Sequence, residues 1–247
     1  MTGRARVAVV TGAASGIGRA VASRLARDGD LVCLCDIDVE TAGRLAEELA
    51  AEGRRASAVA MDVREPRSVE RGFEEARQRF GPVEVLACCA GIPGHGELSG
   101  LEDERWEQVI AVNLDGVFHC MREALRQMLP LKRGIIVNIS SMCGLMGCAS
   151  SPAYSAAKAG VIGLSRSCAR RHAAEGIRVN VVAPGLVDTP FVEPDRRMGK
   201  LEAGIAKIPI GRMGTAEEIA DLVAYLCSDP AAFLVGQVIS PNGGQLI

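Results

Sequence analysis

Short apolar runs alternate with amphipathic stretches from one end of the chain to the other. Val7–Val10, Leu31–Cys35, Ala58–Met61, Val85–Cys88, Ile135–Ile139 and Val179–Val182 are apolar at nearly every position, Asn138 and Asn180 excepted. Runs of that length, apolar on both alternating sets of positions, predict strands covered on both faces. Between them, helical periodicity predicts helices over Ile17–Arg27, Val39–Glu52, Pro66–Phe80, Asp103–Met128 and Ala153–Ala174. Pro66 suits a first helical turn. Thr215-Ala216-Glu217-Glu218 reads as a capping box opening a helix to about Cys227, with a last short strand near Val238–Ser240. Repeated β-α units imply an α/β fold, a parallel sheet with helices on both faces. Such sheets bind ligands at the carboxyl ends of their strands.

Composition narrows the function classes. The 247 residues suffice for one domain with a full core, and a net charge of −2 gives no bulk attraction to nucleic acid or anionic membrane. Aromatic content of 3% argues against a base-stacking surface. The nine cysteines show no C-x-x-C and no metal-ligand spacing with the three histidines. They read as reduced thiols of an intracellular, cytoplasmic protein without a metal. The N-terminal Arg4-Ala5-Arg6 and its apolar run mimic a signal peptide, but the run is too short and Thr11-Gly12 stops it. The longest uncharged stretch, between Arg133 and Lys158, carries Asn138, several Ser and Gly, and Pro152, so no membrane span is expected there.

Two constellations carry chemistry. Gly12, Ser15, Gly16, Ile17 and Gly18 form a G-x-x-x-G-x-G turn that follows the first strand and opens a helix. Glycines there let the backbone approach a pyrophosphate, while the helix N-terminus offers N–H donors. Asp36 ends the second strand, where a carboxylate binds ribose hydroxyls and repels a 2′-phosphate. Ser15 and Ile37 bring no compensating cation, which favours NAD over NADP. Farther along, Tyr154 and Lys158 lie four residues apart, on one face of a helix, with Ser141 upstream. A cation beside a phenol is expected to lower its pKa toward working range, and Ser141 to hold a substrate oxygen.

Together these residues resemble the short-chain dehydrogenase/reductase family over nearly the whole chain, in particular its 3-oxoacyl reductases. The resemblance implies a Rossmann-type, doubly wound single domain and a catalytic set of Asn113, Ser141, Tyr154 and Lys158. Asn113 would belong to a water-linked proton relay. Asp62 and Val63 would contact adenine; Cys88, Ala90 and Gly91 would line the cofactor; Pro184, Gly185, Val187 and Thr189 would bind its nicotinamide end. Tyr154 and Lys158 would touch the cofactor as well. Cys88-Cys89 stands where the family usually has two asparagines, and Pro241-Asn242 where Val-Asp is commoner. A homotetramer or dimer through the long helices is also implied.

Residues 189–209 have the length and mixed polarity of a substrate lid, with Phe191, Val192, Met198, Leu201 and Ile205 either lining it or simply packing. Met142, Leu145 and Met146 form a second candidate wall, and His95 a pocket-edge residue. Arg196, Arg197 and Lys200 are either a solvated face or a contact for a carboxylated or phosphopantetheine-linked substrate. Three functions remain open: an NAD-linked dehydrogenase of secondary alcohols, a 3-oxoacyl thioester reductase, and a non-enzymatic dinucleotide sensor.

Overall fold

The structure, a computed structural model, describes residues 5–199 and 201–247. Seven parallel strands form one sheet in the order β3-β2-β1-β4-β5-β6-β7. They are β1 (Val7–Thr11), β2 (Leu31–Asp36), β3 (Ala56–Ala60), β4 (Val85–Cys88), β5 (Gly134–Ile139), β6 (Ile177–Val182) and β7 (Val238–Ile239). This is the expected Rossmann-type, doubly wound α/β sheet. Strand order reverses beside β1, between β2 and β4, and the crevice above that point is where such sheets hold ligands.

Alternation of side chains explains the unbroken apolar strands. Val7 and Val9 enter one core with Phe73, Met121, Met128 and Val161. Ala8 and Val10 enter the other, with Leu25, Leu45, Ile219 and Leu226. The first core is closed by α3 (Pro66–Phe80), α5 (Gly116–Leu131) and α7 (Pro152–His172). The second is closed by α1 (Gly16–Arg27), α2 (Val39–Ala51) and α10 (Ala216–Leu226). The capping box on α10 is complete, Thr215 Oγ1 accepting from Glu218 N and the Glu218 carboxylate from Thr215 N. Among the described residues, no helix is long and apolar enough to cross a membrane.

Two expectations about the elements need correction. β3 is an edge strand, and only Val59 in it is fully buried, because nothing pairs beyond it. The helix expected over Asp103–Met128 is interrupted. α4 (Asp103–Ile110) passes into a π-helical turn at Ala111–Asp115 before α5 begins. The bulge centres on Asn113, whose side chain is fully buried. The remaining helices are short: α6 (Cys143–Met146) between β5 and α7, then α8 (Glu193–Arg197) and α9 (Leu201–Ile205) before α10.

Candidate active site

The glycine turn is shaped by contacts that exclude larger residues. Gly12 has φ +68°, and a Cβ on it would lie 2.9 Å from the Ala90 backbone. A Cβ on Gly18 would lie 2.0 Å from the Gly12 carbonyl oxygen, so the start of α1 rests directly on the turn. Ser15 is the exposed N-cap, Gly16 and Ile17 open the helix, and no acidic residue occupies its first turn. The positive end of the helix dipole is therefore uncompensated and open to an anion.

Asp36 sits at the end of β2, facing this turn. One carboxylate oxygen accepts from Ala14 N and the other from Asp38 N, both at 2.9 Å. Those bonds fix the carboxylate and leave each oxygen a lone pair for a hydroxyl. Ile37, beside it, is 70% exposed, an apolar platform rather than a cation. Asp62 follows β3, and its carboxylate is engaged by the Arg64 guanidinium, which holds it below the usual carboxylate range. Val63 is buried against Gly116, and its carbonyl contacts His119 Nδ1 at 3.0 Å.

The loop after β4 closes the other side. Thr11 Oγ1 accepts from both Cys89 N (3.1 Å) and Ala90 N (3.2 Å). This hydroxyl, which the sequence reading did not single out, holds the segment through its backbone, where thiol side chains make poor substitutes for amides. Cys88 is buried beside Cys120, and burial pushes the Cys89 thiol up to about 12. Gly91 is held close by its neighbours: a Cβ there would lie 2.8 Å from Asn113 Oδ1 and 3.6 Å from Lys158 Nζ.

Asn113 acts as a clamp. Its amide donates to the Ile92 carbonyl (3.1 Å) and the Val109 carbonyl (3.0 Å), and its oxygen accepts from Ile92 N (3.3 Å). Val109 lies one turn upstream in the widened helix, so the π-helical turn and the clamp belong to one arrangement.

Ser141, Tyr154 and Lys158 converge at the ends of β5 and α7. The Ser141 hydroxyl lies beside the Tyr154 phenol and favours its ionised form, and Ser141 Oγ accepts from Cys143 N at 3.1 Å. The Phe191 ring lies against Tyr154, centroids 5.6 Å apart. Lys158 is buried, its Nζ donating to the Ile139 carbonyl at 2.9 Å and lying 5.5 Å from the Tyr154 ring centroid. The expected lowering of the phenol is reversed. Burial pushes Tyr154 up to about 12, opposed by the Ser141 hydroxyl, and lowers Lys158 to about 8. Adjacency on a helix does place the cation near the ring, but the ammonium points to a backbone carbonyl and desolvation dominates both groups. The protein's own groups thus keep Tyr154 protonated at neutral pH.

Pro184 and Gly185 follow β6 under the C-terminal turn. Gly185 N donates to the Pro241 carbonyl (3.0 Å), and a Cβ on Gly185 would lie 2.9 Å from Asn242. Asn242 Oδ1 accepts from Gly244 N and Leu246 N, so this residue orders the C-terminal turn. Val187 is buried, and Thr189 lies against Gly16, bringing the segment to the glycine turn. Arg196 pairs with Asp188 and Glu193, and Arg197 with Glu193, an exposed ion-pair group that matches the solvated reading. Lys200 and Arg4 lie outside the described residues. His95 Nε2 faces Asp195 of α8 at 3.8 Å.

The cysteines depart from the expected fully reduced set: Cys143 and Cys148 form a disulfide, and seven are free. Their C-x₄-C spacing matches no metal or redox motif, and it is the turn through α6 and Gly147 (φ +76°) that brings them together. No group of three metal-ligating side chains occurs among the described residues.

The residues present fit a dinucleotide. The glycine turn admits close backbone approach, the helix end is open to a pyrophosphate, and Asp36 is oriented for a ribose. A family profile described as Enoyl-(Acyl carrier protein) reductase matches residues 12–245. A 3-oxoacyl-[acyl-carrier-protein] reductase of Escherichia coli (strain K12) is 40% identical, covering 97% of each chain. A cis-4-hydroxycyclohexanecarboxylate dehydrogenase of Sinomonas cyclohexanicum is 45% identical, covering 97% of this chain and 96% of its own. Among solved structures, a single-substitution variant of actinorhodin polyketide ketoreductase with NADPH superposes with a TM-score of 0.94 at 36% identity, covering 98% of this chain and 97% of that one.

Proposed function

Because the chain belongs to the short-chain dehydrogenase/reductase family and is an oxidoreductase of CH–OH and ketone groups, we propose that it uses NAD(H) on a small or medium secondary alcohol or its ketone, with Tyr154 as general acid/base. The observation that carries the reading is the convergence of Ser141, Tyr154 and the buried Lys158 at the ends of β5 and α7.

When bound, the nicotinamide supplies or accepts the hydride. The protein's part is position and proton transfer. Ser141 donates to the reacting oxygen and orients it over Tyr154. In reduction Tyr154 gives its proton to that oxygen, and burial keeps the phenol protonated at neutral pH until it does so. In alcohol oxidation it takes the proton back. Lys158 holds the ribose hydroxyls and steadies the phenolate. Asn113 positions the loop at Gly91–Ile92 and links the site to the proton relay. Gly12–Gly18, Asp36, Ile37, Asp62, Val63, Cys88, Ala90, Gly91 and Pro184–Thr189 bind the dinucleotide. Residues 189–209 close over the substrate, with Phe191 against Tyr154.

The fixed Asp36 carboxylate, with no cation at positions 15 or 37, supports NAD. A substrate of hydroxy-acid type is supported by the Sinomonas relative. A 3-oxoacyl thioester reductase using NADPH is the second reading, favoured by the Escherichia coli relative. We also infer a cytoplasmic location and a homotetramer or dimer. Partly exposed Trp106 and Phe118 on α4 and α5 support such an assembly.

The test is nicotinamide absorbance turnover with NAD(H) and NADP(H) across secondary alcohols, hydroxy acids and 3-oxoacyl thioesters, with Tyr154→Phe as control. NAD-dependent turnover lost in the variant supports the first reading. Turnover with NADPH alone on thioesters selects the second, and full turnover by Tyr154→Phe overturns the mechanism. Light scattering that finds only monomer overturns the assembly.

A further inference from the structure

The disulfide lies on the segment that joins the two candidate catalytic elements. Ser141 leaves the end of β5, Tyr154 sits in the first turn of α7, and Cys143–Cys148 is half of the chain between them. Each half-cystine holds a serine hydroxyl beside a site residue through its backbone. Cys143 N donates to Ser141 Oγ at 3.1 Å, and Cys148 N donates to Ser155 Oγ, next to Tyr154, at 2.9 Å. Gly144 presses the same segment onto α7, where a Cβ would lie 2.7 Å from the Lys158 carbonyl carbon. Between the two cysteines, Leu145 and Met146 are 40% and 58% exposed. They stand as an apolar wall that little packing holds in place.

Cys143 and Cys148 are both partly exposed, as is Cys89, whereas Cys33, Cys35, Cys88, Cys120, Cys168 and Cys227 are buried; of the nine only this pair is bridged. Burial pushes the Cys33, Cys89 and Cys227 thiols up to about 12, which suppresses the thiolate needed for exchange. Disulfides in reducing compartments are usually transient and redox-sensing.

We propose that the Cys143–Cys148 disulfide is a reversible positioning crosslink, which holds Ser141 and the Leu145–Met146 wall for substrate and releases them when a dithiol reduces it. A thiolate of the dithiol attacks one sulfur of the bridge, breaks the S–S bond and forms a mixed disulfide. Its second thiol then displaces the protein sulfur. The protein gains two thiols, and the reductant leaves as its own disulfide with the electron pair balanced. The half-cystines are positioning residues that act through Ser141, whose Oγ accepts from Cys143 N. The proposal rests on Ser141 and Tyr154 being the reacting pair, but its structural half is testable without turnover.

The experiment compares the full chain oxidised and after dithiothreitol, with Cys143→Ser/Cys148→Ser as the fixed reduced state. Alkylation and mass spectrometry count the thiols, hydrogen exchange follows the Cys143 and Cys148 amides, and NADH fluorescence titration reads dinucleotide affinity. Reduction is expected to free these two thiols, speed exchange at the two amides and leave that affinity and the Gly12–Gly18 amides unchanged. With acetoacetyl-CoA or a cyclic hydroxy acid as substrate, kcat/KM is expected to fall about tenfold, mostly through KM, within the roughly 10²-fold that an ångström-scale misplacement can cost. Reoxidation restores it, and the double variant ignores dithiothreitol. Failure of the pair to form on oxidation, or unchanged exchange on reduction, overturns the proposal. A dithiothreitol response that persists in the double variant overturns it too, as does identical KM in both states. Absence of turnover on every substrate counts against the functional reading alone, and the exchange result then decides the crosslink.

Discussion

Replacing Lys158 by methionine is expected to remove turnover and yet stabilise the fold at neutral pH. Lys158 is 3% exposed, and burial lowers its pKa from 10.5 to about 8. That depression corresponds to about 3 kcal/mol spent on keeping an ammonium inside the fold. Methionine matches the side chain in length and carries no charge. It also deprives the Ile139 carbonyl of the donor at 2.9 Å. A buried acceptor left without its partner costs about 1–3 kcal/mol. The net gain at pH 7 is therefore modest, about 1 kcal/mol.

The pH dependence is the sharper signature. Below about pH 8 Lys158 is charged in both states, so the wild type bears the full cost. Between about 8 and 10.5 the folded state gives up its proton first, the unfolded state binds more protons, and stability rises with pH. Above 10.5 the group is neutral in both and the cost is gone. Other groups titrate equally in both proteins and cancel in the difference. Urea unfolding of the two proteins at matched pH values is the assay. The variant's advantage at pH 7 should shrink and reverse by about pH 10. A difference that stays flat over that range refutes the account of Lys158 as a costly buried cation.

Tyr154→Phe should lower kcat, read as turnover at saturating NAD(H), by about 10²–10⁴. Asp36→Asn should narrow the ratio of NAD to NADP kcat/KM, since it removes the charge that repels a 2′-phosphate while keeping an oxygen for Ala14 N. Thr215→Ala breaks the capping box of α10 and should cost about 1 kcal/mol in chemical denaturation. Gly18→Ala has no room, its Cβ falling 2.0 Å from the Gly12 oxygen, and should abolish dinucleotide binding in calorimetry.

Much of the architecture was legible because local signals agreed with the fold. Pro66–Phe80 has the bounds expected from its proline and periodicity, and the Thr215 box is formed as its spacing implies. The glycine turn was legible because backbone shape there demands residues without Cβ. What escaped depends on tertiary placement. The direction of the Tyr154 shift is set by how deeply the ring is buried, which an i,i+4 spacing does not encode. The disulfide depends on the turn at Gly147, and Thr11's role depends on β4 lying beside β1. Asn113 carried a family resemblance, but its π-helical turn did not show, since Ala111-Val112-Asn113-Leu114 continues the apolar rhythm of its neighbours.

That turn has a consequence for how this protein tolerates changes of length. A π-turn is one residue more than the α-helix needs, so α4 and α5 are two helices whose faces run out of phase. Losing Val112 would give a perfectly regular rod with its backbone amides paired. It would also turn everything upstream by about 100° relative to α5 and change the four-residue spacing by which Asn113 reaches the Val109 carbonyl. The surplus residue is an irregularity that a repair toward ideal geometry would erase together with the site.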